Sequence, residues 1–313
     1  MSFRILGTGS SVPKKVLTNE ELSKIVDTSD EWITTRTGIK TRYISEDETP
    51  VSLSYEASIR ALQEANIDAK DLDLIICATL SADYLSPSLA CLIQKEIGAT
   101  CPAFDLNAAC TGFIYALDVA DSYFKCGKVK KVLVVAFEAL SKFLNWEDRT
   151  TCVLFGDGCG AVVLGEGNGL LHSQIHAQGD SGSLNIADLG EGKPVVHMIG
   201  KDIYKFAVSS GSTDIPIAIE KSGLTQADVD HVILHQANKR IIEAVSDRLE
   251  IPKERYAINI EEYGNTSSAS IPLTLDKMNK NNLIKDGDII VMTAFGGGLT
   301  TGTCVIQWNK GEI

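Results

Sequence analysis

The sequence predicts an α/β protein of layered helices and mostly parallel strands, built from two copies of one βα series. Three observations point that way. Short β-branched runs alternate with stretches of helical apolar spacing along the whole chain. The sequence aligns with itself at a fixed offset close to half its length. At 313 residues it is too long for one comfortable core and too short for three ordinary domains.

The self-alignment pairs ALQEANIDAKDLDLIICA, from Ala61, with AIEKSGLTQADVDHVILH, from Ala218, an offset of 157 residues. One residue more pairs FDLNAACTGFIYALD, from Phe104, with EYGNTSSASIPLTLD, from Glu262, and sets Asn107 on Asn265 and Cys110 on Ser268. The same shift lays KVLVVAF, ending at Phe137, against DIIVMTAF, ending at Phe295. The copies meet near EGNGL at 166–170, which gives halves 1–166 and 167–313. In the first half, strands are expected at 4–6, 74–78, 132–136 and 161–164, and in the second at 232–235, 289–293 and 303–307. Helices are expected at 55–65 and 112–124, the latter with Phe113, Leu117, Ala120 and Phe124 on one face. Strands without charges need helices on both sides. FGDGCGAVVLG, from Phe155, reads as a structural glycine-rich turn into a strand.

Composition narrows the function. Hydrophobic residues make up 44% and charged residues 22%, a globular balance. The longest near-apolar runs, 74–80 and 132–137, fall far short of the ~20 residues that cross a bilayer. The opening MSFRILGTGS lacks the apolar stretch of an export signal, so a cytoplasmic protein is expected. Eight cysteines without a CxxC pair then read as thiols. His172/His176 and His231/His235 lie in strand-like sequence, where four residues span ~13 Å, too far to share a metal ion. A formal charge of -12 opposes nucleic acid and anionic lipid, so an anionic ligand needs a local basic patch. GTGSS at Gly7 lacks the third glycine of a dinucleotide fingerprint, and no Walker pattern occurs.

Four places could carry chemistry. Cys110 stands where a helical pattern begins, and a helix N-terminus favours a thiolate nucleophile; the alternative is a small buried residue at a helix cap. His235 ends a strand, where α/β sheets bind ligands, or is a hydrogen-bonded structural histidine. Asn265, in YGNTSSAS, could cap a helix or form an Asx turn. The duplication adds weight to all three, because it places Cys110 and Asn265 on equivalent turns and His235 after an equivalent strand. AFGGGLTTG follows a strand and lets the backbone approach a ligand or aim an N–H at an oxyanion, or it is a tight loop.

The series DTSDEWITTRTGI, AAC, FGDG, HQAN, GNTS and FGGG, in this order over nearly the whole chain, closely resembles the 3-oxoacyl-[acyl-carrier-protein] synthase III family of thiolase-like condensing enzymes. The resemblance implies a five-layer αβαβα fold of two duplicated halves. It implies the initiating condensation of type II fatty-acid synthesis, between a short acyl-CoA and malonyl-ACP. It assigns Cys110 as the acylated nucleophile and His235 with Asn265 as donors to the malonyl thioester. The N–H groups of Cys110 and Gly297 would form the oxyanion hole. Trp32 and Arg149 would sandwich the adenine of CoA, with Arg36 near its phosphates and Asn238 beside it. Gln236, Ala237, Asn238, Lys239 and Arg240 would meet the acyl carrier protein, with Lys205 extending the basic patch. No cofactor is implied, and a homodimer is.

Three positions depart from relatives or discriminate among them. Asn265 occupies the place of a second histidine in elongating enzymes, which favours the initiating type. Ser86, beside Leu85, replaces a phenylalanine that in some relatives closes the acyl pocket across the dimer, so a primer larger than acetyl is expected to fit. Lys201 replaces an asparagine that contacts CoA. A secondary-metabolite ketosynthase of the same fold is the alternative reading, and a non-catalytic acyl-carrier binder is the third.

Overall fold

The computed structural model describes residues 1–188, 190 and 192–309. The first half runs β1 (Ser2–Ser11), β2 (Lys15–Thr18), α1 (Asn19–Leu22), α2 (Asp30–Thr37), β3 (Thr41–Ile44), α3 (Pro50–Ala65), β4 (Leu74–Ala78), α4 (Leu89–Ile97), β5 (Ala103–Leu106), α5 (Gly112–Lys125), β6 (Lys131–Ala139) and β7 (Asp157–Gly167). The second runs β8 (Leu170–Asp180), β9 (Leu184–Ala187), β10 (Val195–Met198), α6 (Gly200–Lys221), β11 (His231–Leu234), α7 (Lys239–Ser246), α8 (Ile260–Tyr263), α9 (Ser270–Lys280), β12 (Ile289–Gly296) and β13 (Gly298–Gln307).

The duplication is visible in the sheets. One has the order β1-β7-β6-β4-β5 and the other β11-β12-β13-β8, so β8, β13, β12 and β11 repeat the roles of β1, β7, β6 and β4. A single parallel bridge, Val232 to Tyr256, stands where β4 pairs with β5 in the first half. Alternate residues of each strand face opposite layers. On β4, Ile76 and Ala78 join α5 and α9 in the central layer, while Ile75 and Cys77 pack under α3 and α4. Likewise Ile233 faces the centre, and Val232 and Leu234 meet α6 and α7. Five layers result: helices, sheet, the shared pair α5 and α9, sheet, helices.

Sequence expectation and structure differ in three respects. The strands are not mostly parallel: β1, β7 and β6 pair antiparallel, as do β12, β13 and β8. The reason is connectivity, since β12 turns into β13 at Gly297 with no room for a crossover helix. β1 and β7 are longer than the expected 4–6 and 161–164, and β11 stops one residue before His235. The two-stranded pairs β2–β3 and β9–β10 lie outside the repeat and were not expected. They matter because a further apolar cluster, including Ile33, Ile44, Phe155 and Val196, ties them into a cap over one end of the sheets.

Helix α3 shows how local sequence sets the layers. Thr49 caps its N-terminus, Pro50 occupies its first position, and Asn66 ends it in the left-handed region. It lies so close on β1 that a Cβ at Gly9 would sit 2.1 Å from the carbonyl oxygen of Ala57.

Candidate active site

Cys110 lies on the single turn Ala109–Thr111 between β5 and α5. Asn107 Oδ1 accepts the Ala109 N–H at 3.1 Å, and Ala109 takes a φ of 47°, a left-handed conformation unfavourable for a residue with a Cβ. Thr111 donates to Thr300 on β13 at 2.8 Å, binding this turn to the other half. A Cβ on Gly296 would fall 2.9 Å from the Cys110 nitrogen, so only glycine lets β12 lie against the thiol. The thiol is buried, and its pKa is pushed up to about 12 by that burial, with the Ser267 hydroxyl opposing and Glu138 reinforcing the shift. Loss of solvent therefore opposes the thiolate that the helix end was expected to favour.

The turn Ser267–Ala269 before α9 is the equivalent in the second half, with Ser267 at a φ of 51°. The Asn265 backbone is fixed by bonds to Leu154 O and from Gly156 N, at 2.9 and 3.0 Å. Its Oδ1 accepts the Ser267 N–H at 2.9 Å, which leaves the Nδ2 protons for the adjoining cavity. His235 follows β11, and its N–H donates to Thr293 O at 2.8 Å. Its Nδ1 lies 2.7 Å from Ser270 Oγ, which also accepts the Gln236 N–H at 3.3 Å. A Ser270 proton directed at Nδ1 would place the imidazole's own proton on Nε2. Burial drives the His235 pKa down to about 3, so the ring is neutral.

Two cavities meet at Cys110. One, about 420 Å³, has Cys110, His235, Asn265 and Phe295 in its wall and reaches Trp32, Arg36, Lys201 and Arg240. The other, about 540 Å³, is lined by Leu80, Leu140, Phe143, Ile186 and Val196, with Gly297 beside Cys110. Most of the wall is apolar, with Asn107, Asn185, Ser267 and Thr300 as its polar side chains. The first cavity thus joins the thiol to an aromatic and basic margin, and the second offers it an apolar space.

At the margin, the Arg36 and Arg149 guanidinium carbons lie 4.6 and 5.0 Å from the Trp32 ring centre. Arg149 also donates to Asp27 O at 2.9 Å. A base sandwiched between Trp32 and Arg149 therefore requires Arg149 to swing off the ring. Asn238 caps α7 through the Arg240 N–H and donates to Arg36 O at 3.1 Å, joining α7 to α2. Lys239 is paired with Glu261 at 2.9 Å, whereas Arg240, Lys201 and Lys205 are exposed. Ala237 lines the first cavity.

Gln236 must be reassigned. It is wholly buried, donating to Leu234 O and Ala257 O and accepting from Asn259 N and Ile260 N, so its side chain is not available to a partner protein. Leu85 and Ser86 are exposed and line neither cavity within one chain, so they could border an acyl pocket only in a second copy. Among the described residues, no group of three or more His, Cys, Asp or Glu is placed to hold a metal ion. Also among these residues, no helix is long and apolar enough to cross a membrane.

Comparisons with known proteins agree with this arrangement. Residues 104–179 match the family described as 3-oxoacyl-[acyl-carrier-protein (ACP)] synthase III, and residues 219–308 match its C-terminal part. A beta-ketoacyl-[acyl-carrier-protein] synthase III of Clostridium acetobutylicum is 47% identical, over 99% of both chains. A crystal structure of 3-oxoacyl-[acyl-carrier-protein] synthase III from Aquifex aeolicus VF5 superposes with a TM-score of 0.94 at 49% identity, covering 97% of this chain and 99% of that one. The priming beta-ketosynthase of the R1128 polyketide pathway superposes at 0.95 with 35% identity, covering 98% and 96%. The chain belongs to the 3-oxoacyl-[acyl-carrier-protein] synthase III family.

Proposed function

We propose that in this initiating condensing enzyme of type II fatty-acid synthesis Cys110 carries the acyl group, and His235 and Asn265 carry the decarboxylation. The observation that supports this most is the thiol at the junction of two cavities, with a neutral imidazole and a carboxamide in the wall of one. An acyl-CoA lies along the first cavity with its base at Trp32, Arg36 and Arg149, beside Asn238. Cys110 sulfur attacks the thioester carbonyl, whose oxygen is held by the N–H groups of Cys110 and Gly297, and CoA leaves. The acyl tail occupies the apolar second cavity.

Malonyl-ACP then takes the place of CoA, with its thioester oxygen between His235 Nε2 and Asn265 Nδ2. Loss of carbon dioxide leaves an enolate, and both donors strengthen as negative charge grows on that oxygen. The enolate carbon attacks the acyl-cysteine, giving 3-oxoacyl-ACP and free Cys110. The reaction so written needs no metal or redox group. The acidic carrier docks on Arg240, Lys239 and Lys205 next to Ala237 and Asn238. The chain works as a cytoplasmic homodimer in which residues 1–166 and 167–313 act as one unit, with the loop bearing Leu85 and Ser86 reaching the partner's acyl cavity.

Acetyl transfer and condensation should separate by mutation. His235→Ala and Asn265→Ala should still take acetyl from acetyl-CoA but release carbon dioxide from malonyl-ACP about 10²–10³ times more slowly. Equal loss of both half-reactions would contradict the assignment. A polyketide-priming role is the second reading, supported by the apolar cavity, which is far larger than an acetyl group requires. It predicts faster turnover of hexanoyl-CoA than of acetyl-CoA, and the reverse order would exclude it.

A further inference from the structure

Glu138 is wholly buried near the end of β6, a strand otherwise apolar after Lys131. Its four contacts are neutral donors. Oε1 lies 2.9 Å from Ser268 Oγ and 3.3 Å from Ser267 Oγ, while Oε2 lies 2.8 Å from Ser81 Oγ and 3.4 Å from Leu80 N. No Lys, Arg or His pairs with it among the described residues. A buried carboxylate without a cation costs stability. Its position suggests a use, because Ser267 Oγ also lies 3.4 Å from Cys110 Sγ. The two halves thus contribute alternate members of a thiol, hydroxyl and carboxyl chain: Cys110 and Glu138 from the first, Ser267 from the second.

We propose that Glu138 holds the Cys110 proton during the life of the acyl-enzyme, exchanging it with the thiol through the Ser267 hydroxyl. This rests on the reading of Cys110 as the acylated nucleophile. On acylation the S–H proton passes to Ser267 Oγ as the Ser267 proton passes to the Glu138 carboxylate. The sulfur electron pair forms the new S–C bond, the C–S bond to CoA breaks, and the CoA thiolate takes a proton from water. On condensation the enolate carbon bonds to the acyl carbon, Cys110 leaves as thiolate, and the stored proton returns to it by the same route.

The electrostatics suit a shuttle. Burial pushes the Glu138 pKa up to about 7, against the lowering effect of its hydroxyl and N–H donors, so the group exchanges a proton near neutrality. Ionised, it opposes the thiolate. Protonated, it no longer does, so taking up the proton removes its own repulsion. The titratable groups facing it are Cys110, on the turn before α5, and Cys77, on β4, whose thiol is raised strongly by burial. The turn before α9 and the segment 79–81 present hydroxyls and N–H groups. In this scheme Ser267 relays the proton at the reacting sulfur, and Glu138, which does not meet the sulfur, acts through it.

The rate of alkylation by iodoacetamide against pH tests the shuttle without any substrate. It is read at Cys110 by peptide mass, because Cys91 and Cys126 are exposed. The wild type should show a rise through an inflection at about 7. Glu138→Gln and Ser267→Ala should lose that inflection and react ~10-fold or more slowly at neutral pH. Glu138→Asp should recover part of the rate. If Glu138 only repelled the thiolate, Glu138→Gln would speed alkylation, and that result, or an unchanged profile in folded Ser267→Ala, overturns the proposal. Should Glu138→Gln not fold by circular dichroism, Ser267→Ala decides alone. Acetylation of the wild type by acetyl-CoA is measured alongside. Its absence defeats the reading of Cys110, whereas its presence with unchanged variant profiles defeats only the shuttle.

Discussion

His235 and Cys110 are both neutral at rest, because neither meets enough water to hold a charge. For His235 this has a consequence for stability. Its folded pKa of about 3 lies below the unfolded 6.5, so in that interval the unfolded chain binds the extra proton. Stability contributed by the neutral ring is full above 6.5 and is lost as pH falls toward 3. His235→Gln should therefore show a smaller drop in Tm between pH 7 and pH 5 than the wild type, and an equal drop would show that the ring is not held neutral. Cys110, His235 and Asn265 were legible because the repeat brought three separately ambiguous residues to one centre. Ser267 and Ser270 were not, since serines after a turn look like capping residues. Glu138 left a faint signal, an acid closing the uninterrupted apolar run VLVVAF.

At the scale of elements, close approach of backbone and ring does the positioning. Gly9→Ala would drive a methyl into the carbonyl of Ala57 and force α3 away from β1, at a cost of about 1–3 kcal/mol. Gly179→Ala meets nothing within 4 Å and is the control. Thermal unfolding should show Gly9→Ala lower by several degrees and Gly179→Ala close to wild type, and equal values would refute the close-packing argument. At the margin of the first cavity, removing Arg149 should raise KM for acetyl-CoA severalfold. Acetyl-pantetheine, which lacks the adenine, should be unaffected; equal effects on both would remove Arg149 from base binding. The repeated strands and central helices were legible from periodicity. The two-stranded pairs β2–β3 and β9–β10 were not, because four-residue strands outside the repeat have neither period nor copy to mark them.

The whole molecule carries a formal charge of -12, yet is proposed to receive an acidic carrier at Arg240, Lys239 and Lys205. Lys239 is already engaged by Glu261, which leaves Arg240 and Lys205 as the freer charges. Docking should therefore be weak and salt-sensitive: raising ionic strength should increase KM for malonyl-ACP while leaving KM for a neutral acyl-pantetheine unchanged. A malonyl-ACP KM insensitive to salt would place the carrier elsewhere. The proposed joint action of the halves follows from the duplication: Cys110 comes from one turn of the repeat and Asn265 from the segment leading into the other, with Thr111 bonded to Thr300 between them. The most direct test of the central claim is the intact mass of the protein after acetyl-CoA and then malonyl-ACP. One acetyl group per chain should appear, be absent in Cys110→Ala, and leave when malonyl-ACP is added; no adduct, or one that persists in Cys110→Ala, would contradict the account.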